Sequence, residues 1–89
     1  MKHDLIKKIF NEWQIYNNEY SNNFIYFNEF LKDKGYQYVV LAVGKNNLAI
    51  YKVKIDNLSY IITDFGTTLD IQCHDKKLGK YINIYQYLI

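Results

Sequence analysis

Cys73-His74-Asp75 sets a thiol, an imidazole and a carboxylate side by side, the residue types that serve as nucleophile, base and orienting group in covalent catalysis. The segment around them alternates, with Leu69, Ile71 and Cys73 interleaved by Asp70, Gln72 and His74. Neighbours on a strand point to opposite faces, so Cys73 and His74 cannot share a proton within this element. The plainer role is a small buried thiol beside a surface imidazole. His3, His74 and Cys73 are scattered without the paired spacing of zinc sites, so neither a metal nor a cofactor is expected.

Three other groupings come to the same end. Asp64-Phe65-Gly66 has the spelling of the magnesium-binding triplet of protein kinases, but the glycine-rich loop, strand lysine and catalytic loop that give the triplet its role are missing. A turn is the simpler reading, with Asp64 bonding neighbouring backbone and Gly66 at positive φ. Gly44-Lys45 lacks the remaining glycines and the Ser or Thr of a phosphate-binding loop. Asp64 and Asp70 are spaced to meet across a hairpin as a carboxylate pair, yet acids beside turns ordinarily cap backbone amides. No constellation fills the roles that catalysis requires, and an enzyme is not expected.

The elements that carry these residues follow from periodicity. Leu5, Ile6, Ile9, Phe10, Trp13, Tyr16 and Tyr20 recur at three- and four-residue steps after Asp4, which predicts an amphipathic helix over residues 4–20 with Asp4 as N-cap and Trp13 as core anchor. Ser21-Asn22-Asn23 and the closing Lys32, Lys34 and Gly35 predict a second helix over residues 23–34. Beyond Gly35 the pattern turns to strands: Tyr36 to Val43, apolar on both faces and therefore expected to be central, then Leu48 to Ile55, Ser59 to Asp64, Leu69 to His74, and Tyr81 to Leu88. Turns are expected at Gly44-Lys45-Asn46-Asn47, at Asp56-Asn57, at Gly66 and over His74 to Lys80. The expected class is α+β: two N-terminal helices packed on one face of an antiparallel sheet of about five strands, a two-layer arrangement in a single domain over residues 1–89.

Composition limits the partners. The chain of 89 residues is 49% hydrophobic and 18% aromatic, enough for a core without disulfide or metal staples. Net charge is +2, with Lys45, Lys52 and Lys54 as the local surplus, too little to neutralise the several phosphates that long nucleic acid presents. Arg is absent, which removes the bidentate fork for phosphate or carboxylate. One Cys cannot make an internal disulfide, favouring a reducing cytoplasm. No stretch approaches the ~20 apolar residues of a membrane span. The abundance of Phe, Tyr, Ile, Asn and Lys, with no Pro, is the residue set of A/T-rich codons and points to a low-GC bacterium or its phages and plasmids.

The stretch Tyr60-Ile61-Ile62-Thr63-Asp64-Phe65-Gly66-Thr67-Thr68-Leu69 resembles the Tyr-x-Leu-Thr-Asp-x-Gly-x-Thr-Leu hairpin of a bacterial and phage family called domain of unknown function 1828. The resemblance covers ten residues and implies a microbial, mobile-element setting without implying an activity. In size, A/T-rich bias and chemically inert surface the chain also resembles small anti-defence inhibitors, anti-CRISPR proteins among them.

The remaining candidate is a tyrosine face. By strict alternation Tyr81, Asn83, Tyr85 and Tyr87 share one side of the last strand and Ile82, Ile84 and Leu88 the other. With Lys52, Lys54, Gln72 and His74 on neighbouring strands, the tyrosines would form a partner-binding surface of aromatic anchors with a polar rim. The alternative role for such tyrosines is cross-strand stabilisation. The expected function is a cytoplasmic, non-enzymatic inhibitor that occludes a host defence protein such as a CRISPR effector, with a homodimer compatible. Single-stranded nucleic acid, stacked on tyrosines and held by Lys52 and Lys54, is the alternative.

Overall fold

A computed structural model describes residues 3–19, 26–45, 49–66 and 68–88. Among the described residues two helices precede five strands: α1 (Asp4–Glu19), α2 (Phe27–Asp33), β1 (Tyr38–Val43), β2 (Ala49–Ile55), β3 (Leu58–Asp64), β4 (Thr68–Asp75) and β5 (Lys80–Leu88). The α+β class is as expected. The chain divides into two units, residues 1–37 and 38–89.

In the helical unit, α1 buries Ile6, Ile9, Phe10 and Trp13, the one-face spacing of an amphipathic helix. Leu5 falls off that stripe and is exposed. Phe27, Phe30 and Leu31 are the buried residues of α2. Phe10, Trp13 and Phe27 form a tilted aromatic triangle with centroids 5.5, 5.7 and 5.4 Å apart, the separation at which edge-on and offset rings attract. Trp13 is thus a core anchor. Glu12 and Lys34 make an ion pair at 3.7 Å, and the same ammonium lies 5.3 Å from the Phe30 ring centroid.

Helix α2 starts later than the capping cluster implies. Tyr26 is extended, with φ −67° and ψ 152°, so residue 26 is not helical; the expected cap at Ser21-Asn22-Asn23 lies outside the described residues. The other end stops as the sequence suggests. Gly35 takes φ +90°, its N–H donates to the Lys32 carbonyl at 3.0 Å, and Tyr36 N–H donates to Leu31 at 2.9 Å. This crossed pair satisfies the last carbonyls of the helix.

The sheet is an antiparallel meander in the order β1-β2-β3-β4-β5. Three of its turns have legible chemistry. Asp56 and Asn57 both adopt left-handed φ, 53° and 62°, the two-residue hairpin geometry whose twist matches the strands it joins. Between β3 and β4, Gly66 N–H donates to Asp64 Oδ1 at 2.8 Å and Phe65 N–H to the Thr68 carbonyl at 2.9 Å. Between β4 and β5, Asp75 Oδ1 accepts Lys77 N–H and Leu78 N–H at 2.8 and 3.0 Å. The expected turn at Gly44 to Asn47 is described only as far as Lys45.

Strand β1 is an edge, not the central strand that its two-sided apolarity suggested. When every strand pairs with the next through a short turn, the first must lie at the rim. Its aliphatics are consequently exposed on both faces, with Val39 at 63%, Val40 at 46%, Leu41 at 51% and Val43 at 72%.

Candidate partner-binding face of the sheet

The two sheet faces differ sharply. One carries Tyr51, Val53, Ile55, Tyr60, Ile62, Leu69, Ile71 and Cys73, all buried, together with the buried acid Asp64. The other carries Lys52 and Lys54 from β2, Ser59, Ile61 and Thr63 from β3, and Asp70, Gln72 and His74 from β4, all half-buried or exposed. Opposed residues of an antiparallel pair share a face, so the register assigns each residue of β5 as well.

Tyr81 stands opposite His74, Ile82 opposite Cys73, and Asn83 opposite Gln72; Tyr85 then stands opposite Ile71 and Tyr87 opposite Leu69. Ile84 is the extra residue of a β-bulge between the two runs. One additional residue reverses the phase of everything beyond it. Of the residues expected to form the partner-binding face, Tyr81, Asn83, Lys52, Lys54, Gln72 and His74 come together on the open side. Tyr85 and Tyr87 do not. They belong to the side of Ile71 and Leu69, half-buried, with their rings 5.8 Å apart.

Their surroundings show in the tyrosine acidities. Burial pushes the Tyr60 hydroxyl up to about 12, helped by the negative potential of Cys73, Asp56 and Tyr85. Burial, then Tyr85, raises Tyr87. Burial, then Asp64 and Tyr38, holds Tyr51 well above the ordinary phenol range. Asp64 is itself raised by burial, an effect opposed by the Gly66 N–H that favours its anion.

On the open face, Tyr81 is held from three directions. Its hydroxyl and Ser59 Oγ share a 2.8 Å hydrogen bond, although 22 residues separate them. The His74 ring meets it edge-on at 5.1 Å, and Lys52 Nζ lies 6.0 Å from its centroid, the outer limit of a cation–π contact. Lys52, Ile61, Gln72 and Asn83 form one cross-strand row beside this cluster. Ser59 and Ile61 were not among the residues expected on this face, although alternation with the inward Tyr60 and Ile62 places them on the open side.

The grouping Cys73-His74-Asp75 has no shared geometry. Cys73 is buried, His74 faces the other way against Tyr81, and Asp75 accepts turn amides. Asp64 and Asp70 also part, because Asp64 pairs with Leu69 while Asp70 pairs with Thr63 on the opposite face. Among the described residues no three His, Cys, Asp or Glu gather as a metal site would need, and no helix is long and apolar enough to cross a membrane.

Fold and face together define a small α+β protein whose five-stranded meander is apolar on one side and carries a positioned tyrosine among polar residues on the other. No family model, curated protein or solved structure matches the chain.

Proposed function

We propose that this chain is a non-enzymatic protein-binding module that lays the open face of its sheet on a partner and inhibits that partner by occluding a working surface. The observation that carries this reading is the fixing of Tyr81 by Ser59, His74 and Lys52. An aromatic ring already ordered before contact loses little entropy on binding, and tyrosine anchors of this kind carry a large share of interface energies. Lys52, Lys54, Gln72 and Asn83 supply a polar rim around it. A host defence protein is the partner class we favour, because the A/T-rich residue set fits a phage or mobile-element source.

The reading predicts a stoichiometric complex burying on the order of 1,200–2,000 Å². Immobilised wild-type chain should retain a host protein that Tyr81→Ala loses, with the circular dichroism spectrum of the variant unchanged. Equal retention by both would place the contact on another surface and sink the proposal. Single-stranded nucleic acid fits less well, since Tyr85 and Tyr87 lie on the other face and leave Tyr81 as the one tyrosine among the described residues of the open sheet face, where successive bases need several rings.

A further inference from the structure

We infer that the free edge of β1 is a self-association surface, pairing antiparallel with β1 of a second copy across a two-fold axis to make a continuous ten-stranded sheet. The inference rests on the edge, independently of the role proposed for the open face.

Strand β1 pairs with β2 on one side, and among the described residues no strand pairs with its other side. A sheet edge presents a row of backbone donors and acceptors, so what fits it must be another strand. Protected edges carry Lys, inward charges or Pro. The six residues Tyr-Val-Val-Leu-Ala-Val of β1 contain none of these. Val39, Val40, Leu41 and Val43, 46–72% exposed, lie along this edge on both faces. A neutral strand has no like charges to oppose when it meets itself, and a second copy brings the same aliphatic surface. Lys80 opens the other edge strand, β5, which therefore carries a charge at its rim.

Register supplies the second argument. Val40 pairs with Tyr51 and Ala42 with Ile50, which leaves Leu41 as a bulge residue and changes the phase of β1. Tyr38 and Val43 consequently share the face of Tyr51, while Val39 and Ala42 share the face of Lys52. An antiparallel partner must match faces. Pairing Tyr38 with Val43 and Val39 with Ala42 of the second copy does so at both ends of the strand and is two-fold symmetric, so the assembly closes at two copies. The contact involves one short strand from each copy and falls below a standard interface, so the dimer should be weak, with a dissociation constant on the order of 10–100 µM.

Sedimentation equilibrium of the full chain from about 5 µM to about 1 mM tests this. The expected result is an average mass rising from one to two chain masses and levelling there. Val39→Lys with Val43→Lys should hold the mass at one chain with an unchanged circular dichroism spectrum. Monomer at every concentration, a double variant that still dimerises, or growth past two chains through β1–β5 pairing would each overturn the inference. If the double variant loses its fold, hydrogen exchange of the wild-type chain decides instead. Those amides of Val39 to Val43 that point away from β2 should gain protection as concentration rises, and unchanged exchange there counts against β1.

Discussion

Tyr85 stands opposite Ile71, two positions beyond Asn83, which stands opposite Gln72. The step from Asn83 to Tyr85 would ordinarily keep both on one face, and the bulge at Ile84 reverses it. Tyr81 therefore looks outward while Tyr85 and Tyr87 serve the apolar side.

This division separates two kinds of tyrosine variant. Tyr85→Ala and Tyr87→Ala each remove a half-buried ring and should cost about 2–3 kcal/mol, somewhat less than a fully buried aromatic. Tyr81→Ala loses one surface hydrogen bond and an edge contact and should cost about 1 kcal/mol. Urea midpoints measured on the three variants give the comparison; equal losses would mean that β5 has no bulge.

Asp64 is an acid that the fold prefers protonated. Its carboxyl is raised above 3.8 by burial, so its favourable contribution is complete below the unfolded value and is lost as pH rises through the folded one. Asp64→Asn keeps an oxygen for the Gly66 N–H and carries no charge. It should stabilise the protein at pH 7, and the gain should vanish near pH 3. Denaturation midpoints at the two pH values measure it, and a destabilised Asn variant at neutral pH would contradict the burial argument.

Tyr60 produces the opposite end of the pH profile. With a folded value of about 12 against 10.0 unfolded, its contribution is complete below pH 10 and is lost progressively between 10 and about 12. Over that interval one such group changes stability by at most about 1.4 kcal/mol per pH unit. Tyr60→Phe should flatten this part of the curve, leaving the slope that Tyr51 and Tyr87 contribute. An unchanged slope would show that Tyr60 ionises as freely in the fold as in the unfolded chain.

Asn57 sits at φ 62° in the β2–β3 turn, where asparagine and glycine are tolerated and β-branched residues are not. Asn57→Gly should be neutral or slightly stabilising, whereas Asn57→Val should cost about 1–2 kcal/mol. Thermal midpoints of the pair check this, and a harmless valine would argue against the left-handed geometry.

Much of this was determined by the sequence alone. The spacing of Ile6, Ile9, Phe10 and Trp13, the Gly35 helix stop, the Asp56-Asn57 turn and the Asp64-Gly66 turn are written in local residue order, because each depends on contacts within a few positions. The opposite facing of Cys73 and His74 follows as directly from the pleat. Tertiary pairing decided the rest. Alternation carries a face assignment along a strand only while the register is unbroken, and nothing in the residue types of β1 or β5 announces an extra residue at Leu41 or Ile84. Two-sided apolarity likewise suits a central strand and an unprotected edge, so only the pairing order could place β1 at the rim. The Tyr81 to Ser59 bond joins residues that no local pattern connects. It exists because β3, β4 and β5 lie side by side, and that adjacency turns one tyrosine among ten into a positioned one.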